Sequence, residues 1–147
     1  MSVKVREGSL EECIAVIGEI SEFSRAETVE SLAERLDGRK SLILIAEENE
    51  ELLGVKIGYE LNASQFYSWL GGVLPRARGK GVAQVLLVAQ EQWGRASGYK
   101  EIKVKTRNQF PSMIRLLSRN NYLIEKFEKK ENNLESRIHF IKTLENK

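Results

Sequence analysis

The stretch Val73-Leu-Pro-Arg-Ala-Arg78-Gly79-Lys80-Gly81-Val82-Ala83 decides how the rest of the chain is read. Before it, Gln65–Leu74 is rich in aromatics and glycine and reads as a strand. After it, Val82, Leu86, Ala89 and Trp93 form the apolar stripe of a long helix, with Val85 beside it and Gly98 as its stop. Two glycines and three cations therefore stand at a strand-to-helix junction. The glycines let the backbone curl, and a helix start leaves N–H groups unpaired. Those donors and the helix dipole make an anion site. Arg76, Arg78 and Lys80 add positive charge, so a phosphate or pyrophosphate is the expected guest.

Working outward, Val3–Arg6 alternates as a short strand, and Ser9-Leu-Glu-Glu12 is a capping box opening a helix along Leu10, Cys13, Ile14, Ile17 and Ile20. Ser24-Arg-Ala-Glu27 reads as a second capping box before a helix with Val29, Leu32, Ala33 and Leu36 on one face. Ser41–Ala46 and Leu52–Leu61 form an expected antiparallel hairpin. Glu101–Thr106 is a strand, Pro111 starts a helix, and 122–129 with 135–144 make a last hairpin through Asn132-Asn133. The order β-α-α-β-β-β-α-β-α-β-β predicts a mixed α/β sheet.

Three nucleotide motifs compete for the junction. A Walker loop is excluded because Lys80 precedes Gly81 and no Ser or Thr follows. A dinucleotide fingerprint fits Gly79 and Gly81, but Gln84 replaces its third glycine. The third, R-x-x-G-x-[GA], is matched by Arg78, Gly81 and Ala83. Here the sequence resembles the GNAT superfamily of acyl-CoA N-acyltransferases. The resemblance extends through the Val-x-Pro step at Val73–Pro75, the long helix and Asn108 before the next helix. It continues to Asn121-Tyr122 and is clearest over residues 66–124. Residues 1–65 fit the family's start by pattern only.

The resemblance implies one domain over residues 1–147. Its expected sheet is mixed and mostly antiparallel, of about seven strands flanked by about four helices, with two central parallel strands splayed apart. It implies acetyl-CoA as co-substrate, held by the backbone of Val73, by Arg78, Gly79, Lys80, Gly81, Val82 and Ala83 around the pyrophosphate, and by Asn108 with Ser112 along the pantetheine. An amine would attack the thioester directly in a ternary complex, its oxyanion met by amides of the splayed strand. A free amine has a pKa near about 10, so it needs a base. Glu60, near the end of its strand where the acceptor pocket is expected, is the first candidate, and Glu22 the second. The family's tyrosine acid falls on Leu117 here, so no acid carries over. That departure motivates the alternative of a CoA-binding sensor without turnover. Asn121 stands for the family's glycine and tolerates left-handed angles.

Tyr59, Tyr67 and Trp69 are expected either to wall an acceptor pocket, where aromatic faces suit a cation, or to fill the core. Tyr67 and Trp69 would share a face with Gly71. Lys103, Lys105 and Arg107 alternate along one strand face and read equally as an acidic-group site or a solvated row. His139 reads as a surface or pairing residue and Cys13 as packing.

Composition bounds the rest. The chain has 147 residues, 41% hydrophobic and 30% charged, enough for one domain with its own core. One cysteine and one histidine exclude a disulfide, a thiolate zinc site and a His-rich metal site. No apolar run suits a membrane span or a signal peptide, so a cytoplasmic protein without membrane contact is expected. Residues 1–73 carry net −7 and residues 74–147 net +9. The basic half favours polyanions, but its charges are scattered and form no nucleic-acid recognition motif. The expected partners are acetyl-CoA and a small-molecule or protein amine, with a homodimer possible.

Overall fold

The structure, a computed structural model, describes residues 2–21 and 27–144. Its elements in chain order are β1 (Lys4–Glu7), α1 (Leu10–Ile17), α2 (Val29–Leu36), β2 (Ser41–Glu48), β3 (Glu51–Asn62), β4 (Gln65–Val73), α3 (Val82–Ala96), β5 (Glu101–Arg107), α4 (Pro111–Arg119), β6 (Leu123–Glu128) and β7 (Arg137–Thr143). The seven strands form one sheet in the order β1-β2-β3-β4-β5-β7-β6. Every pairing is antiparallel except β4 with β5. The architecture is the mixed, mostly antiparallel one expected.

Local chemistry sets the helix starts. Ser9 and Glu12 complete the capping box of α1. Glu12 also receives the Arg6 guanidinium, which together with the Ser9 amide holds its carboxyl down to about 2. The second box forms four residues later than expected: Thr28 caps α2 and exchanges bonds with Ser31. The Ser24 reading lies outside the described residues. Pro111 occupies the first turn of α4, where its missing N–H costs nothing, and Pro75 opens a 3-10 turn.

The sheet has two covered faces. Tyr59 pairs with Tyr67, and Tyr67 with Lys103, so these three share a face. Arg35 of α2 reaches Tyr59 on it. Glu60 pairs with Phe66, and the Phe66 ring stacks at 5.1 Å on Trp93 of α3, which identifies the other face. α4 lies beside α3, tied by the reciprocal amides of Gln84 and Asn120 at 2.8 Å. Cys13 is fully buried in the α1 core, as its helical position required.

The break in the sheet is the feature that matters. β4 and β5 pair only from Gln65–Glu101 to Ser68–Val104. Just beyond Ser68 the β3–β4 register slips, with Gly58 opposite Ser68 but Ile57 opposite Leu70. This β-bulge at Trp69 adds one residue to β4 and bends it. Leu70–Val73 stay paired to β3 and leave β5, so the central strands splay apart. The bulge also corrects the expected side-chain alternation. Gly71 faces Lys56, with the position of a Cβ 3.5 Å from Lys56 Nζ, and does not share the face of Tyr67 and Trp69.

Gly58, opposite the pivot, has no room for a side chain. A Cβ there would meet Phe66 Cε2 at 2.3 Å and the Tyr67 carbonyl at 2.7 Å. Gly58→Ala is expected to cost about 1–3 kcal/mol by overpacking. Thermal unfolding should show a melting point lower by roughly 2–4 °C per kcal/mol.

Candidate functional site

The junction loop has the conformation its glycines imply. Gly79 and Gly81 both take left-handed angles, φ +78° and +80°, and nothing lies within 4 Å of where their side chains would be. Gly81 is the N-cap of α3 and provides no side-chain cap. Among the described residues, no protein group accepts from the amides of Gly79 through Ala83. An α-helix of 15 residues thus presents its positive end and uncapped donors at the open end of the β4–β5 gap.

The flanking cations are not equivalent. Arg78 donates from Nε to the Val73 carbonyl at 3.1 Å, bracing the last residue of β4 against the loop. Lys80 is exposed beside it. Arg76 faces away, toward Glu19 at 3.4 Å and Glu51 at 3.6 Å, so the acidic half of the chain draws its charge off. Across the gap, the Asn108 side chain donates to the Asn133 carbonyl at 3.0 Å, pinning the β6–β7 loop. Ser112 accepts from Arg115 in the first turn of α4. Both lie on the far wall of the gap, occupied with protein partners. The uncapped amides, the lack of side chains at Gly79 and Gly81 and the unzipped strand edges fit a chain that carries a diphosphate at one end and threads the gap with the rest.

On the opposite face, a cleft of about 500 Å³ opens beside the last paired residues of β4 and β5. Tyr59, Tyr67, Lys103 and Lys105 line its floor, and Arg35, Glu125 and His139 its sides. Tyr59 and Tyr67 meet edge to face at 5.4 Å, and Tyr59 and Trp69 lie 6.0 Å apart. Trp69 backs this wall and does not line the cleft. The aromatic faces expected to receive a cationic guest already hold the protein's own cations. The Arg35 guanidinium lies 4.8 Å from the Trp69 centroid and donates twice to the Tyr59 hydroxyl. Arg39 lies 4.7 Å from the Tyr59 ring, and Lys105 5.5 Å from that of Tyr67. Lys103 pairs with Glu125 at 3.4 Å. Arg107 leaves this row for a separate depression beside Lys130 and Arg137.

Glu60 is elsewhere. It pairs with Phe66, at the zipped end of β4 and on the α3 face, and accepts from the Tyr99 hydroxyl at 2.8 Å. That bond and burial push Tyr99 up to about 12, burial being the larger cause. Glu60 does not line the cleft, because successive residues of a strand face opposite sides and the cleft takes Tyr59 and Leu61. Glu22 lies outside the described residues. His139, read from the sequence as a surface or pairing residue, has its Nε2 2.6 Å from Glu128 while its ring borders the cleft. Sequence reading passed over Arg35 and Lys56. Only long-range packing assembles these groups, so no local motif marks them. Leu117 is fully buried, and Tyr122 is bonded inside the core to Glu91 at 2.8 Å, so neither is an acid for this site. Asn121 takes φ +69°, the left-handed angle its substitution for glycine requires.

A family model described as the acetyltransferase (GNAT) family matches residues 13–122, and the chain belongs to that family. Solved structures agree on the fold. Ard1 from Thermoplasma volcanium superposes with a TM-score of 0.85 at 13% identity, covering 99% of this chain and all of that one. The ribosomal-protein-S18-alanine N-acetyltransferase from Escherichia coli gives 0.85 at 12% identity, covering 99% and 96%. YncA from Salmonella typhimurium, a putative acetyltransferase solved with acetyl-CoA, gives 0.77 at 15%, covering 100% and 96%. No curated protein sequence matches the chain. Among the described residues no helix is long and apolar enough to cross a membrane, and no group of acidic, cysteine and histidine side chains is placed to hold a metal.

Inorganic pyrophosphate probes the loop alone. Titration is expected to shift the backbone amide resonances of Gly79 through Ala83 more than any others. Gly81→Val, a branched residue forced to a positive φ, is expected to remove the shifts while far-UV circular dichroism stays native.

Proposed function

We propose that the protein is an N-acetyltransferase that moves an acetyl group from acetyl-CoA to a primary amine by direct attack in a ternary complex. The observation carrying this reading is that the β4–β5 gap joins the anion-ready loop at one end to the cleft on the opposite face at the other. A donor threaded from the loop would present its thioester where the cleft begins. Acetyl-CoA supplies an activated acyl group whose leaving group is a thiol with an ordinary pKa of about 8.5.

The chain's own residues do the remaining work. The amides of Gly79–Ala83, with Arg78 and Lys80, hold the diphosphate, and the edge of Trp69–Val73 freed from β5 receives the pantetheine arm and polarises the acyl carbonyl. Asn108 and Ser112 border that arm. Tyr59 and Tyr67, backed by Trp69, wall the acceptor cleft, and positioning both reactants supplies much of the rate. In the cleft, the groups able to take the amine's proton are His139, held by Glu128, and Glu125. We assign the base to His139, because Glu125 is engaged by Lys103. The cleft carries Arg35, Lys103, Lys105 and Lys126 against the single carboxylate Glu125. Such a lining selects an amine that bears an acidic group nearby, such as an acidic amino acid or an acidic peptide terminus.

The test is release of CoA thiol from acetyl-CoA across a panel of amines with and without acidic substituents. Turnover is expected to favour the acidic members, and no release from any of them refutes the reading. His139→Gln is expected to lower kcat by about 100-fold or more with little change in the acetyl-CoA KM. Lys103→Glu combined with Lys105→Glu is expected to raise the acceptor KM by tenfold or more and to flatten the preference for acidic amines.

A further inference from the structure

Behind the gap, on the α3 face, a lysine is buried without an ionic partner. Lys56 of β3 is 6% exposed. It stands opposite Gly71 in the unzipped half of β4, and its Cγ and Nζ lie 3.7 Å and 3.5 Å from where a Gly71 side chain would begin. Because Gly71 has none, the lysine lies over β4 beside the strand that lines the gap. Among the described residues no carboxylate comes within salt-bridge distance of Nζ. Glu91 is the acid that acts on it, from further off, and Glu91 is already bonded to Tyr122 at 2.8 Å and Lys142 at 3.1 Å. Gln90, next to Glu91 on α3, is fully buried, and both atoms of its amide lack partners among the described residues. An unpaired buried ammonium and an unsatisfied amide both cost stability. Methionine at 56 would fill similar volume at no such cost, so packing does not account for the charge.

We propose that Lys56 is a catalytic residue of the acetyl transfer, donating a proton to the thioester sulfur as the C–S bond breaks, in the role left empty by Leu117. The inference rests on the acetyl-transfer reading above. The balance is complete: the amine nitrogen forms the N–C bond and gives its proton to the base, sulfur leaves as the thiol with the Lys56 proton, and Lys56 regains a proton from solvent. Burial, partly offset by Glu91, pushes Lys56 down to about 8. That lies close to an ordinary thiol at about 8.5 and suits proton exchange between the two. Tyr122 and Lys142 face the same cluster through Glu91, and the facing residues of β5, Ile102, Val104 and Thr106, do not titrate.

The experiment compares wild type with Lys56→Met, and with Lys56→Gln should the first not fold. Wild-type kcat is expected to fall as pH rises through about 8, and each variant to lose that limb and about 100-fold in kcat. Calorimetric affinity for acetyl-CoA should stay within threefold. Melting gives a readout independent of turnover. With its folded pKa depressed, Lys56 costs stability below pH 8, and the cost is relieved as pH rises toward the unfolded value near about 10.5. Lys56→Met should therefore melt above wild type at pH 7, by a margin that narrows between pH 8 and about 10.5. Variant kcat within threefold of wild type, a retained alkaline limb, or a rate loss explained by lost acetyl-CoA affinity overturns the assignment. A wild type that binds acetyl-CoA but releases no thiol ends the acetyl-transfer reading as well. An active wild type with an equally active variant ends only this one.

Discussion

The structure depends on one interruption of hydrogen bonding. Among the described residues β4 and β5 are the only parallel neighbours in the sheet, and they stay paired for just four residues of each. The bulge at Trp69 then gives β4 one residue too many to keep its course. A continuous sheet would have satisfied those backbone groups internally. Unzipping leaves N–H and C=O groups in the middle of a fold free to bind something else, and buried backbone groups without partners are expensive. A fold holds them open only if β3 keeps the other edge of β4 rigid, which it does from Gly54 to Asn62.

The rest of the molecule organises around that gap. The loop after β4 turns through two left-handed glycines into α3, so the helix's positive end lies at the gap's mouth. α2 sends Arg35 across the aromatic wall on the opposite face. β5 and β7 supply lysines and the histidine of the cleft. Charge follows the same division: acids of the first half pair with Arg6 and draw off Arg76, while basic residues of the second half line the cleft. The −7 and +9 of the two halves is therefore partly cancelled within the fold and partly gathered along the cleft.

The two polar clusters on either side of the gap differ in kind. The cleft of Arg35, Lys103 and Glu125 is wet, and its charges are cheap. Lys56 lies under α3, facing its Glu91, where desolvation dominates. Hydrophobic side chains would serve a fold better there, and such departures from local rules collect at functional sites.

The sequence by itself determined the elements and the loop. The periodicity of Val82, Leu86, Ala89 and Trp93 announced α3, and Gly79 with Gly81 announced the phosphate-ready turn, because helix faces and left-handed angles are written in neighbouring residues. It did not single out Thr28 as the cap of α2, since serine and threonine offer capping chemistry at several positions before that helix. Tertiary structure alone decided which groups meet. One bulge reversed the facing of Gly71, strand alternation turned Glu60 from the cleft and Tyr59 into it, and pairing of β7 with β5 brought His139 to the cleft. Each is a relation between strands far apart in the chain, and a side chain's facing flips with a single residue of register, which local pattern does not record.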